Sequence, residues 1–161
     1  MDFKTADLCD AHSETIRIAR PGMLSYGGKP CLAGRIVTLK LFEDNSLLRD
    51  ILNNNGEGQV IVVDGGASMR CALLGDMLAG KAINNGWGGL VINGCIRDSA
   101  DIAKMNISIR ALGTHPLKSV KKGVGEANVP VSFYNLEFIP GHYIYADEDG
   151  IIVAKEDLLP T

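Results

Sequence analysis

Apolar positions in this chain fall into short runs whose period changes along the sequence, and the period assigns the elements. Thr5 to His12 predicts a short helix with Thr5 as its N-cap. Residues 21–30, with Pro21, Gly22, Gly27, Gly28 and Pro30, read as turns. Leu32 to Leu41 carries Ile36, Val37, Thr38 and Leu39 and predicts a strand. Glu43-Asp44-Asn45-Ser46 caps a helix with an apolar face of Leu47, Leu48, Ile51 and Leu52, ended by Asn53 to Gly58.

The centre of the chain changes character. Val60 to Val63 is wholly apolar, as expected of a strand covered on both faces, and Asp64-Gly65-Gly66 breaks it. The next stretch predicts a helix over 69–85, capped by Ser68, with Met69, Ala72, Leu73, Met77 and Ile83 inward and Asn84-Asn85-Gly86 as its stop. Gly89 to Asn93 is a second buried strand, and Gly94-Cys95-Ile96 leads from it to Arg97-Asp98. Strand, helix and strand in that order predict a βαβ unit with a right-handed crossover. Ser99 to Lys104 reads as a short helix. Ile107 to Leu112, Val129 to Tyr134, His142 to Ala146 and Ile151 to Ala154 read as strands. An α/β centre and a β-rich C-terminal part predict a layered β/β/α domain, one unit over residues 1–161.

Composition narrows the setting. Of 161 residues, 46% are hydrophobic and 22% charged, ordinary for a globular chain able to bury a core. A net charge of −3 with dispersed basic residues gives no footprint for direct nucleic-acid binding, and Lys118, Lys121 and Lys122 read as a solvated loop. No apolar run approaches the ~18 residues a membrane helix needs, and the N-terminus lacks the pattern of a signal peptide. Cys9, Cys31, Cys71 and Cys95 form no C-x-x-C pair, so free thiols in a reducing cytoplasm are expected. The 19 glycines sit between apolar runs and mark tight turns and close backbone approaches.

One constellation carries chemistry. Twenty residues separate Asp76 from Arg97-Asp98, and Asp101 follows. The expected layout puts Asp76 on the helix after strand 60–63 and Arg97-Asp98 just past strand 89–93, where open parallel sheets collect ligands. Charges set in so apolar a segment need partners, and a divalent ion with an anionic substrate would serve. Each residue also has an ordinary reading: Asp76 as a solvated helix carboxylate, Arg97-Asp98 as a loop ion pair, Asp101 as a charge favouring a helix N-terminus.

The stretches FEDNSLLRDIL, VVDGGASMRCALLGDMLA, NGWGGLVINGCIRD and YADEDGIIV resemble one family over nearly the whole chain. It is the RraA-like family of the regulator of ribonuclease E activity A and the class II 4-hydroxy-4-methyl-2-oxoglutarate aldolases. Its enzymatic members are marked by Asp-X20-Arg-Asp, which Asp76, Arg97 and Asp98 satisfy. The resemblance implies a swivelling β/β/α domain and a homotrimer. It implies that Asp98 binds Mg²⁺ or Mn²⁺, that Arg97 grips the carboxylate of a 2-keto acid, and that Asp76 orients a water for proton transfer. Backbone N–H groups across Gly75, Asp76, Met77 and Leu78 would contact substrate. The implied reaction releases pyruvate by aldol cleavage or by decarboxylation of oxaloacetate, with the small keto acid favoured for a chain ending at Thr161. The other branch of the family implies a non-enzymatic regulator that binds ribonuclease E.

Competing motifs are weaker. Val63-Asp64-Gly65-Gly66 lacks the G-x-G-x-x-G of a nucleotide or S-adenosylmethionine turn. Lys81, the nearest candidate for a Schiff base, reads as a charge complementing a helix C-terminus. His12, His115 and His142 form no ligand pair, Trp87 reads as core or subunit interface, and Asp149-Gly150 reads as a hairpin turn.

Overall fold

In the computed structural model, which describes residues 2–161, the elements run in chain order as α1 (Thr5–His12), β1 (Ile16–Ile18), β2 (Leu24–Tyr26), β3 (Leu32–Lys40), α2 (Ser46–Leu52), β4 (Val60–Asp64), β5 (Ala72–Leu74), α3 (Asp76–Asn84), β6 (Gly89–Ile96), α4 (Ser99–Ile102), β7 (Ile109–Thr114), β8 (Glu126–Ala127), β9 (Val131–Phe133), β10 (Leu136–Phe138), β11 (Tyr143–Asp147) and β12 (Gly150–Ala154). A curled sheet takes the order β1-β12-β11-β3-β4-β6-β7-β2. Strand β3 serves two ladders: Leu32–Arg35 pairs antiparallel with β11, and Ile36–Lys40 pairs parallel with β4. The parallel ladder continues through β6 to β7.

The period of two along β4 builds two cores at once. Ile61 and Val63 join Leu90 and Ile92 of β6 beneath α2 and α3. Val60 and Val62 join Val91 on the opposite face, packed against the β9–β10 hairpin, β11 and β12. A smaller cluster around Tyr145 and Ile152 seats Phe3 and Leu8 at the N-terminal end. The layered α/β architecture read from the sequence is therefore the one observed.

Several local expectations are corrected. The helix expected over 69–85 begins only at Asp76. Ala72 to Leu74 instead form β5, parallel to the end of β6, because three consecutive apolar side chains are all buried there and a helix would turn one of them to solvent. Met69 and Met77, expected inward, are 53% and 80% exposed. Ser68 caps no helix; its hydroxyl donates to Glu43. Thr5 is the first residue of α1, not its cap, and both its N–H and hydroxyl donate to Asp147. The turn-rich segment holds a short strand, β2, on the sheet edge. The hairpin turn lies one residue earlier than expected, with Asp147 facing Gly150 across Glu148-Asp149.

The helix stop at Asn84-Asn85-Gly86 is borne out in detail. Gly86 adopts φ +75°, its N–H donates to Ile83 O, and Trp87 N–H donates to Ala82 O, a Schellman termination. Trp87 then turns into the core, where its ring N–H donates to Asn54 O.

Candidate functional site

The site forms where β5 and β6 end and α3 begins. Arg97 N–H donates to Leu74 O at 2.8 Å, which draws the turn after β6 against the entry to α3. Asp98 follows with φ +57° and ψ +36° and caps α4, Ile102 N–H donating to its carbonyl. Left-handed backbone at a non-glycine residue is uncommon and tends to occur at functional sites. It aims the carboxylate back at α3, whose Asp76 N–H donates to Asp98 Oδ2 at 3.0 Å. Gly75 makes room for this: a Cβ there would stand 2.7 Å from Asp98 Oδ2 and 3.4 Å from Arg97 Nε.

The three predicted residues thus converge on one cleft of about 260 Å³, together with Gly75, Met77 and Leu78. Asp101 does not line it and lies exposed in the first turn of α4. A larger hollow of about 450 Å³ beside Arg110 holds none of them.

The charges are less buried than the apolar sequence around them implies. Asp98 is exposed, and Asp76 and Arg97 are half-buried, so burial alone does not demand an occupant. Their pairing is the informative feature. The ion pairs among the described residues are Arg49–Asp50 and Arg70–Glu43, so Arg97 and Asp98 do not neutralise each other. Arg97 makes one long hydrogen bond, Nη1 to Pro116 O at 3.4 Å, leaving most of its fork for a ligand. Helix α3 starts with Gly75 extended as its N-cap and no side-chain cap. Its first intrahelical acceptor is Gly75 O, taken by Ala79 N–H, so the earlier N–H groups need other acceptors. The Asp76 N–H is committed to Asp98, and those of Met77 and Leu78 remain for an anion, assisted by the helix dipole.

Residues that the sequence reading left outside the site complete the walls. Asn45 and Arg49 come from the start of α2, Lys81 from α3, and Lys118 and Lys121 from the loop after β7. Lys118 and Lys121 are exposed, as the solvated-loop reading expects, and also line the cleft. Five cationic side chains stand against the carboxylates of Asp76 and Asp98. Asp44 holds this arrangement together. Burial would push its carboxyl up, but hydrogen bonds from Ser46, Val124 and Lys122 outweigh that and hold it well below the ordinary carboxylate range. Asn45 Nδ2 donates to Leu73 O at 2.9 Å, which fixes the amide orientation and leaves its buried Oδ1 without a donor.

Among the described residues, no three His, Cys, Asp or Glu groups gather into a cage for an ion. A hard cation that keeps most of its waters needs only one or two carboxylates, and Asp98, with Asp76 beside it in the cleft, fits that requirement.

Comparison with known proteins identifies the family. A family model described as RraA-like, Aldolase/RraA, matches residues 5–153. A protein of Aromatoleum aromaticum named "Putative 4-hydroxy-4-methyl-2-oxoglutarate aldolase" is 54% identical, covering 99% of this chain and 100% of its own. A crystal structure described as an S-adenosylmethionine:2-dimethylmenaquinone methyltransferase from Geobacillus kaustophilus superposes with a TM-score of 0.95 at 47% identity, covering 97% of each chain. The structure described as the RNA-processing inhibitor RraA from Thermus thermophilis superposes with a TM-score of 0.94 at 42% identity, covering 100% of this chain and 96% of that one. A match over almost the whole length, with the Asp76, Arg97 and Asp98 pattern gathered in one cleft, makes this chain a member of the RraA-like family.

Proposed function

We propose that this protein is a divalent-metal-dependent lyase that cleaves 2-keto acids to pyruvate, as a 4-hydroxy-4-methyl-2-oxoglutarate aldolase, an oxaloacetate decarboxylase, or both. The observation that carries the reading is the unspent pair: an arginine fork and a carboxylate side by side, not neutralising each other, at the open start of a helix.

Arg97 offers a planar fork to the substrate's C1 carboxylate. The N–H groups of Met77 and Leu78 point their partial positive charge at the same anion. Asp98, held by the Asp76 N–H through Oδ2, is the residue to hold Mg²⁺ or Mn²⁺. Bound there, the ion supplies Lewis-acid polarisation of the C2 keto oxygen. In aldol cleavage the C4 hydroxyl gives up its proton as the C3–C4 bond breaks, and the bonding pair moves toward C2. The Asp76 carboxylate, half-buried in the first turn of α3, takes that proton through one water and returns a proton to C3. In decarboxylation the same electron pair comes from the bond to the departing CO₂, and only the return of a proton is needed.

A coupled assay of pyruvate release from oxaloacetate and from 4-hydroxy-4-methyl-2-oxoglutarate, with Mg²⁺ and with a chelator, tests the reading. Release that requires the ion supports it, and full release in chelator ends the metal assignment. The exposed apolar side chains Phe42, Met69, Leu117, Val120 and Val124 support a homotrimer that covers them, to be checked by light scattering. Free cysteines suit a reducing cytoplasm, and among the described residues no helix is long and apolar enough to cross a membrane.

The second reading, a protein that binds and inhibits ribonuclease E, is favoured by the likeness to the RNA-processing inhibitor. Retention of immobilised ribonuclease E by wild-type protein and by Asp98→Asn alike would support it. Methyl transfer is disfavoured by the turn after β4. Asp64 Oδ1 there accepts from Gly66 N–H and Asn93 Nδ2, and Gly65 packs against Leu73 and Asn93.

A further inference from the structure

The period of two that fills the second core with valine also places one arginine in that layer. Across the sheet, Thr38, Val62, Val91, Arg110 and Ser25 stand in one row, so their side chains share a face. Val62 and Val91 on that face belong to the core against the β9–β10 hairpin, β11 and β12. Arg110 is only 3% exposed, yet it takes part in neither ion pair among the described residues. Neutral oxygens hold its guanidinium instead. Nη1 donates to Ser108 Oγ at 3.0 Å and to Ile109 O at 3.4 Å, and Nη2 donates to Asp147 O at 3.1 Å and to Pro30 O. The nearby carboxylates are engaged elsewhere. That of Asp147 accepts from Thr5 and from Asp149 N–H, and that of Glu148 accepts the Cys31 thiol at 3.7 Å. Four of the five guanidinium N–H groups are thus occupied, and Nε–H has no acceptor among the described residues. That nitrogen is not sealed in, since the buried side-chain nitrogen or oxygen left without a partner is Asn45 Oδ1. It opens on the hollow of about 450 Å³ that Arg110 lines together with Ile18, Met23, Leu24, Glu148 and Ile151.

We propose that this hollow binds a small monocarboxylate with a short apolar tail, whose carboxylate accepts from Arg110 Nε–H. A buried cation without a counter-ion is costly, and a ligand carboxylate supplies the missing charge and the missing acceptor together. One free donor suits one carboxylate. Glu148 and Asp149, exposed along the same hollow, oppose a second negative charge and so disfavour a phosphate or a dicarboxylate. Ile18 and Leu24, 57% and 51% exposed, stand with Met23 and Ile151 to cover the tail. The hollow shares no lining residue with the Arg97 cleft, so the proposal stands or falls independently of the lyase reading.

Calorimetric titration of the Mg²⁺-loaded protein with 3-methylbutanoate, which has no keto group to chelate an ion, tests this without turnover. Wild-type protein is expected to bind it about tenfold more tightly than the neutral 3-methylbutanamide, the worth of one charge-assisted hydrogen bond. Leu24→Trp, which fills the hollow from an exposed position, is expected to block binding. Arg97→Ala, in the other cleft, is expected to leave it unchanged. Arg110→Gln keeps hydrogen-bond donors and removes the charge, and it is expected to bind acid and amide alike. Where that variant does not fold, Leu24→Trp decides. A wild-type protein without the preference for the carboxylate overturns the proposal. So does binding that survives Leu24→Trp, or binding that Arg97→Ala abolishes.

Discussion

Asp44 and Asp98 each stand at the entry to a helix, and each is used in the opposite way. Asp44, 3% exposed, accepts four hydrogen bonds, from Ser46 N–H and hydroxyl, Lys122 N–H and Val124 N–H. Asp98 is exposed and accepts one side-chain hydrogen bond, from Asp76 N–H. The first carboxylate is consumed in joining α2 to the loop that carries Lys118 and Lys121. The second is positioned by the fold but not consumed by it. A charge left so incompletely partnered beside an arginine that is equally unengaged is what a site for an outside ligand requires.

Substitutions at the two positions should separate accordingly. The largest expected effect is on turnover: Asp98→Asn should lower pyruvate release by about 10²–10³-fold. Its thermal midpoint should stay near that of wild type, because an exposed side chain with one hydrogen bond is exchanged for one of similar size. A large fall in the midpoint would show that Asp98 is spent on the fold after all. Asp44→Ala should do the converse, costing about 3 kcal/mol by stranding buried donors. That corresponds to roughly 6–12 °C in a melting curve. Arg97→Lys should raise KM for oxaloacetate about tenfold, since a point charge cannot replace a fork, and an unchanged KM would contradict the carboxylate clamp. The smallest effect concerns acid. The carboxyl of Asp44 is lowered in the folded protein from 3.8, so its stabilisation is fully present above that pH and is lost as pH falls through the lower folded value. Unfolding free energy measured below pH 3.8 should therefore fall less steeply in Asp44→Asn than in wild type.

The same contrast explains what could be read from the residues. The buried strands β4 and β6 announce themselves because Val60–Val63 and Leu90–Ile92 are unbroken apolar runs. Asp76, Arg97 and Asp98 could be brought together because strand order fixes where strand ends lie. Ala72-Leu73-Leu74 could not be told from a helix face, since a short apolar run carries no period. That Lys118 and Lys121 also line the cleft could not be read, because their place depends on Asp44 and Ala72, far away in sequence. The left-handed turn at Asp98 had no local signal either; it depends on Gly75 ceding space across the cleft.

That turn also biases how such a protein can change over time. Glycine or asparagine accepts the Asp98 backbone angles with little penalty, whereas β-branched residues do not. A lineage could therefore shed its catalysis at this position by a single conservative replacement and keep the architecture whole, free for other duties. The same tolerance means that architecture alone is a poor guide to which descendants still break carbon–carbon bonds.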